Sequence, residues 1–465
     1  MERMDVSLNR VKNMTVGSPL KLLIFFSAPL IAANFGQQLY MIVDAIIVGR
    51  GVGVEALASV GATDWSYWLA LWVVQALTQG FAIPISQYFG EGNHTRLRQT
   101  VAMSIKLCIL IGIVLTVICL LIARPLLRLL QTPENIFAGA LEYLLTMYGG
   151  ILIVMAYNMA ASILRALGDG KTPLIAISIA AVTNIILDLL FVLVFQWGII
   201  GAAVATVTAQ LFAFLYCFRV LKNLELMKIK KEDWNFRRDI VSRQCSLGAP
   251  LALQHILISV GGMILQSAIN KHGFLFIAGF TATNKIYGLL ESSAISLGYA
   301  VTTYMAQNYG GGFYSRIRKG LKTAVLIAVL LSVLVSITMI FAGKPILSLF
   351  IDNASTNASE TLEIAYHYLY IMSCLLLSLY FLYVFRNTLQ GLGNAIAPLL
   401  SGIMEFFARV SVAYVFTRIW GDEWIFFAEP SAWIAAMVIL ILICLRSVHR
   451  CLLYTSDAAD EARSV

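Results

Sequence analysis

The chain has 465 residues, of which 59% are hydrophobic and only 12% are charged. Because so few charged side chains could not cover the surface of a water-soluble protein of this size, the composition excludes a soluble globular enzyme. Apolar runs of 18 or more residues recur along the whole length, and each is long enough to cross a bilayer as a helix. The sequence therefore predicts an all-α polytopic membrane protein.

Twelve spans are predicted, six in each half of the chain. In the first half they lie at about 19–49, 56–89, 98–122, 137–164, 173–197 and 201–223. In the second half they lie at about 242–270, 274–305, 318–342, 360–390, 396–419 and 427–449. Spans 1 and 7 carry an early proline, Pro29 and Pro250, and we expect Pro29 to give the first helix a place to bend.

Polar stretches divide the chain into five segments. Residues 1–18 form a cytoplasmic N-terminal segment, 19–223 the first six-helix bundle and 242–450 the second, with a basic linker at 224–241 between the bundles. The last segment, 451–465, begins "CLLYTSDAADE" and looks like translated adapter sequence from library preparation. We expect this tail to be non-native and to make no important contacts, and the natural C-terminus to be missing.

Lysine and arginine residues are distributed unevenly over the predicted loops. With the N-terminus in the cytoplasm, the cytoplasmic segments carry 23 of them, including Arg386, and the opposite loops carry six. Basic loops remain on the cytoplasmic side of a membrane. We therefore expect a multi-pass protein of a bacterial plasma membrane with both termini in the cytoplasm. The net charge of +8 follows from these loops and requires no nucleic acid as a partner.

Motifs of the first half recur in the second. "LRALGDGKTP", 164–173, returns as "LQGLGNAIAP", 389–398, and "QYFGEGNHTRLR" from Gln87 returns as "QNYGGGFYSRIR" from Gln307. In the first pair glycine supplies a turn and proline begins the next helix. Because each half has an even number of spans, both halves enter the membrane from the same side, so the repeat is parallel. Two such halves suit a substrate site that opens to alternate sides.

The six-plus-six repeat, together with "ISQYFGEGN", "LRALGDGKTP" and "VDAIIVG", resembles the multidrug and toxic compound extrusion (MATE) family over residues from about 15 to 450. The resemblance implies a fold of two six-helix bundles in a lipid bilayer. It also implies export of cationic, often aromatic compounds, driven by inward flow of protons or sodium ions. Apart from that coupling ion no cofactor is expected, and the protein is expected to be a monomer.

Acidic residues distinguish two branches of this family. The NorM-like branch carries acids in the helices equivalent to spans 7 and 10, but "GAPLALQHILISVGGMILQSAIN" and "SLYFLYVFRNTLQ" contain none here. The DinF-like branch uses a polar network in the N-terminal half, and this chain resembles that branch. Matched motif by motif, the resemblance implies a cation-coupling site made of Asp44, Tyr143, Asn184, Asp188 and Thr206.

The positions of these residues within their spans agree with a single site. At 1.5 Å per residue, Asp44 lies roughly 9 Å below the outer end of span 1, and Tyr143, Asp188 and Thr206 also fall in the outer half of the membrane. Asn184 and Asp188 are four residues apart and share one helix face. An aspartate inside a span costs about 2.5–3.5 kcal/mol on insertion scales, so two without a basic partner indicate function. Hydrogen-bonded packing of two protonated acids is the alternative. The repeat equivalents of the two acids are Leu265 and Ala413.

A second group of residues is expected to line a drug-binding cleft. On span 2, tryptophans at helical spacing form a stripe along one face, and glutamines follow them on the same face toward the membrane interior. An aromatic belt at the membrane interface does not extend inward as glutamines. Such a belt nevertheless remains the alternative for the tryptophans. The cleft residues are Gln37, Tyr40, Met41, Trp65, Trp68, Trp72, Asn158 and Glu291. Of these, Glu291 either attracts a cationic drug or only lines the cleft.

Two further charged residues lie in span 11. Glu405 and Arg409 are four residues apart, so we expect them to form a structural ion pair with each other. The histidines show no ligand spacing and predict no metal site, although sodium could bind at the coupling site.

Taken together, the sequence favours secondary active multidrug efflux by cation-coupled antiport, with protons favoured over sodium. The main alternative is a flippase for lipid-linked oligosaccharides, which would favour a strongly basic cavity for pyrophosphate. A membrane enzyme is disfavoured because the chain has no zinc motif, nucleophile elbow or phosphate loop. A channel is disfavoured because an asymmetric two-lobe repeat has no filter-like segment.

Overall fold

The computed structural model describes residues 11–349, 351 and 358–461, and places most of them in helices, with no β-strand among them. Side chains of residues 39–42, 45, 54, 274 and 449–461 lie outside the description. The helices of the first half are α1 Pro19–Gly51, α2 Val54–Glu91, α3 His94–Leu129, α4 Glu134–Gly149, α5 Ile151–Ala166, α6 Lys171–Asp188 and α7 Gly198–Lys222. Those of the second half are α8 Arg238–Ile269, α9 Phe274–Gly310, α10 Tyr314–Leu347, α11 Ala358–Cys374, α12 Leu376–Gly391, α13 Ile396–Ser411, α14 Thr417–Trp420 and α15 Ala428–Glu461.

The helices confirm the predicted membrane architecture. Within the described ranges, 9 helices are long and apolar enough to cross a membrane, or 11 if each of two bent pairs counts as one span. The remaining predicted span is α9, a helix of 37 residues that carries Lys285 and Glu291 and is not among these candidates. Its length suffices for a span.

The breaks within helices occur at equivalent places in the two halves. The predicted spans 4 and 10 are each two helices: α4 meets α5 at 46°, and α11 meets α12 at 49°. Each half also contains a π-helical segment, Leu189–Val194 directly after α6 and Val412–Phe416 directly after α13. Such wide turns occur frequently at functional sites.

The repeated glycine–proline loop has the predicted structure in both copies. Gly168 and Gly393 adopt positive φ angles of 83° and 84°, which only glycine adopts without strain. The next residue then caps the following helix. Asp169 Oδ1 accepts hydrogen bonds from the backbone N–H groups of residues 171 and 172, and Asn394 Oδ1 accepts one from that of Ala397. A side-chain oxygen at this position satisfies helix donors that lack an intrahelical partner.

The helices form two compact units. One comprises Met1–Met14 and Ala28–Ala252, and the other comprises Thr15–Ser27 and Leu253–Val465. In the first unit α7 packs against α5 and α6. It buries a small side chain or glycine every four residues, which lets helix backbones approach closely. These residues are Gly201, Ala205, Ala209, Ala213 and Cys217. The second unit has an aromatic core, in which Phe280 stacks on Tyr368 with ring centroids 4.3 Å apart.

Candidate functional site

A buried carboxyl group ends α6. Asp188 is 0% exposed and is the last residue before the π-helical segment, and Asn184 lies one turn earlier on the same helix face. The turn that follows is tight, since Gln196 and Gly198 have φ angles of 55° and 60°. It returns the chain as α7, which packs along α6.

Thr206 of α7 is held beside Asn184. The Asn184 side-chain N–H donates to Thr206 Oγ1 across 3.3 Å. α7 can lie this close to the end of α6 because its residue 201 is glycine: a Cβ there would come within 3.2 Å of Phe191. The side-chain N–H of Asn184 is therefore used locally, and its Oδ1 is buried without a hydrogen-bond donor among the described residues.

Asp44 of α1 completes the acidic pair. The carboxyl groups of Asp44 and Asp188 approach each other closely enough to interact electrostatically, but neither Asp188 oxygen has a hydrogen-bond partner among the described residues. Four buried oxygens of the cluster lack a donor within the described part of the chain: Asp44 Oδ1, Asn184 Oδ1, Asp188 Oδ1 and Asp188 Oδ2. Buried oxygens without donors are costly, and two anionic carboxyl groups without a cation still more so.

Tyr143 of α4 lies beside this pair. It is buried and packs on Met147, Ile199 and Ala203. The acids that act electrostatically on its hydroxyl include Asp44, Asp64 and Asp188. The structure thus brings the five predicted coupling residues into one neighbourhood of the first unit. A cluster of carboxyl, amide and hydroxyl oxygens of this kind can hold a proton or a small hard cation.

Four of the residues that were predicted to line a cleft in the first unit are partly or fully exposed. Trp65 is 39% exposed, and the partly buried rings of Trp68 and Trp72 lie 5.9 Å apart at 42°. Gln37 is half-buried on α1, whereas the side chains of Tyr40 and Met41 lie outside the described residues.

Asn158, the remaining predicted cleft residue of this unit, is buried in α5. Its side-chain N–H donates to the Val154 carbonyl oxygen at 2.8 Å. One of its two amide hydrogens is therefore used within its own helix.

Comparison with known proteins decides the family. The MatE family model matches residues 29–190 and 250–415, which is more than half of the chain. The chain belongs to the MATE family. It is 31% identical over 308 residues to the probable multidrug resistance protein YpnP of Bacillus subtilis (strain 168), covering 66% of this chain and 68% of that protein. It is 27% identical over 402 residues to YoeA, a probable multidrug resistance protein of the same organism, covering 84% and 86%.

Solved structures show the same MATE fold. An outward-facing multidrug resistance MATE family transporter of the MOP superfamily superposes with a TM-score of 0.87, at 22% sequence identity, over 95% of this chain and 98% of that one. The protein is therefore a membrane transporter and not an enzyme.

The second unit of this MATE protein corrects one prediction. Glu405 and Arg409 were expected to pair with each other, but each has a partner on a different helix. Arg386 of α12 forms an ion pair with Glu405, and Arg409 binds Glu429 of α15 at 2.8 Å. Arg409 also donates to the Ile258 carbonyl oxygen at 3.1 Å. Spacing of four residues places two side chains on one face, but opposite charges on neighbouring helices provide closer partners.

Arg386 was also misplaced in the sequence prediction. It was counted with the cytoplasmic residues, yet it is only 5% exposed and lies within the packed part of α12. The signal was available, because Arg386 stands inside the apolar run "SLYFLYVFRNTLQ". A charge inside a membrane helix needs a partner, and Glu405 in the next span was the acid to consider.

Glu291 of α9 is a further acid inside the second unit. It is half-buried and accepts a hydrogen bond from the Tyr383 hydroxyl at 2.7 Å, with Tyr287 also in hydrogen-bonding contact. Tyr287 in turn stacks on the buried Trp433. Because each of the two arginines already has its own glutamate, Glu291 forms no ion pair with a basic residue among the described residues.

Proposed function

We propose that this protein exports cationic aromatic compounds by cation-coupled antiport with alternating access, as a multidrug efflux transporter of a bacterial cytoplasmic membrane. The observation that carries the proposal is the cluster of four buried acceptor oxygens around Asp44 and Asp188. Such a cluster is stable only when a proton or another cation compensates it. The relatives YpnP and YoeA are named probable multidrug resistance proteins, which supports the export of several compounds.

Coupling requires that the cation bind the two transport conformations unequally. Protonation of Asp44 or Asp188 removes a buried charge and converts an acceptor into a donor. The hydrogen bonds among α1, α6 and α7 then rearrange. Pro29 gives α1 a place to bend when those bonds shift. A neutral site no longer attracts a cationic drug, so protonation favours drug release to the outside.

We favour the proton over sodium as the coupling ion. The electrostatic interaction between the two carboxyl groups supports this choice, because a proton bound by one of them relieves their repulsion. Sodium is the competing ion, since the same oxygens could coordinate it. The acids of the N-terminal half also support assignment to the DinF-like branch. We propose a monomer, with both termini in the cytoplasm and no cofactor beyond the coupling ion.

Two features support a cationic drug as the substrate. In the first unit, the indole rings of Trp68 and Trp72 offer faces for an aromatic cation. In the second unit, the carboxyl group of Glu291 forms no ion pair with a basic residue among the described residues. The alternative substrate, a lipid-linked oligosaccharide, would need free positive charge for its pyrophosphate. Arg386 and Arg409 are instead paired with Glu405 and Glu429, so this observation favours the drug.

The decisive experiment uses the purified full chain in lipid vesicles. A proton gradient and a sodium gradient are imposed separately, and accumulation of a fluorescent aromatic cation such as ethidium is followed. We expect the proton gradient alone to drive accumulation and Asp44→Asn to abolish it. Accumulation driven only by sodium would make sodium the coupling ion. Movement that never exceeds the passive level under either gradient would refute antiport.

A further inference from the structure

The exposed side chains along α3 indicate where one edge of the membrane lies. Its exposed apolar side chains begin at Ile109 and Leu110, which are 50% and 61% exposed, and continue to Ile122, after which the exposed Arg124 follows. At 1.5 Å per residue this band is about 20 Å long and fits within a hydrocarbon core of about 30 Å. Lys106 lies about one turn before the band. It therefore stands at the edge of the hydrocarbon core, where the ammonium group of a lysine can reach the lipid headgroups.

The linker between the halves is fastened along this end of α3. Asp239 pairs with Arg96 at 2.5 Å, Asp233 with Arg98 at 3.1 Å, and the carbonyl oxygen of Trp234 accepts from Lys106 Nζ at 2.6 Å. Asp233 is buried, so its pair with Arg98 is shielded from water. Because the contact at Lys106 is the one nearest the apolar band, residue 234 is held at the headgroup level.

The side chains that the linker presents there are aromatic and basic. Trp234 is 38% exposed and Phe236 is 68% exposed. Two exposed lysines precede them in the chain and two exposed arginines follow them. The set, which we name the linker surface, consists of Lys230, Lys231, Trp234, Phe236, Arg237 and Arg238. Basic residues alone could serve only to fix the topology of the chain. Two exposed aromatic rings beside them are what a membrane-interface contact requires.

The charges of the linker surface are not neutralised within the chain. Among the described residues, the acids of this segment pair elsewhere: Glu225 with Lys228, and Asp233 with Arg98. No ion pair of the described chain involves a basic residue of the linker surface, and the exposed acid within it is Glu232. Four basic side chains therefore face one acid. A positive surface at headgroup level attracts anionic lipids.

We propose that the linker surface binds the headgroups of anionic phospholipids in the adjoining leaflet, with Trp234 and Phe236 inserted among the lipids. The basic residues cause the preference for anionic headgroups, and the aromatic rings set how deeply the linker surface inserts into the membrane interface. Because the linker continues directly into α8, this contact ties the start of α8 to the membrane. The proposal does not rest on the transported compound or on the coupling ion.

The test uses the full chain in nanodiscs of phosphatidylcholine with a varied fraction of phosphatidylglycerol. One lipid at a time carries bromine near the glycerol end of its acyl chains, and quenching of tryptophan fluorescence gives the relative association constant. The part of the tryptophan fluorescence that is absent in the Trp234→Phe variant is assigned to residue 234. We expect brominated phosphatidylglycerol to be preferred at this residue. The double variant Arg237→Gln/Arg238→Gln should lower that preference about tenfold or more.

A matched double variant removes the same charge elsewhere. Arg318 and Lys319 are exposed at the start of α10, and Arg318→Gln/Lys319→Gln should leave the quenching of residue 234 unchanged. The proposal is overturned if residue 234 is quenched by neither lipid, or equally by both. It is also overturned if the preference survives loss of Arg237 and Arg238, because the linker would then be an ordinary solvated basic loop.

Discussion

The ends of α6 and α13 have similar backbones and opposite electrostatics. Each helix passes directly into a π-helical segment, and each carries buried polar residues in its last turns. After α6 the acid Asp188 meets a second acid, Asp44. Along α13, Glu405 and Arg409 each meet an opposite charge. A duplicated backbone therefore does not imply a duplicated function. We propose that the unpaired acids mark the half that binds the coupling cation.

The largest effect is expected from the unpaired acids. Asp44→Asn should reduce proton-driven drug accumulation to the passive level while the protein remains folded, since the amide cannot exchange a proton. Asp188→Asn should do nearly as much, and the double variant should do little more than either alone, because the two acids act as one unit. Vesicle transport measures this, with Glu142→Gln, an exposed neighbour of Tyr143, as the control. Wild-type transport against a gradient by Asp44→Asn would place the coupling site elsewhere.

The paired acids of the second unit should respond in the opposite way. Arg386→Gln leaves Glu405 buried without a cation, and breaking a buried pair costs about 3–5 kcal/mol. Adding Glu405→Gln should restore most of that loss. Asp44→Asn, by contrast, removes an uncompensated charge and should not destabilise the fold. Thermal unfolding in detergent compares the stability of the wild type with that of Arg386→Gln, of the double variant Arg386→Gln/Glu405→Gln and of Asp44→Asn. Equal destabilisation by Arg386→Gln and Asp44→Asn would remove the distinction between the halves.

A smaller effect is expected at Thr206. Thr206→Val removes the acceptor of the Asn184 amide, and an unsatisfied buried donor costs about 1–3 kcal/mol. We expect the initial rate of proton-driven transport to fall roughly tenfold, which corresponds to about 1.4 kcal/mol. Thr206→Ser keeps the hydroxyl and should retain most of the rate. If valine and serine behave alike, the hydrogen bond is not part of coupling.

The smallest effect is expected in the tryptophan stripe. Replacing Trp68 or Trp72 by alanine removes a stacking surface worth about 0.5–1.5 kcal/mol, so the affinity for individual drugs should change by a few-fold to about tenfold. The spectrum of exported compounds should change while the response to the proton gradient persists. The strongly exposed Phe341 provides a control substitution. Unchanged resistance to every compound tested would assign the stripe to the lipid interface.

Local features of the fold followed from the sequence. The apolar runs predict the helices because a span must satisfy its backbone internally. The motif "LRALGDGKTP" and its repeat predict the two loops, since a glycine with positive φ and a helix-capping residue act over only a few positions. Asn184 and Asp188 share a face because of helix geometry alone. Their meeting with Asp44, Tyr143 and Thr206 was implied by the family resemblance and supported by depth.

The tertiary structure decided which charges pair. Periodicity identifies neighbours within one helix, so it predicted a bond between Glu405 and Arg409. The closest opposite charges came from α12 and α15, whose approach depends on the packing of the whole unit. The helix breaks and the attachment of the linker to α3 are likewise settled by contacts between distant segments. The sequence of a helix determines which of its own side chains share a face. Only the packing of the helices determines which of those side chains bond to a residue on another helix.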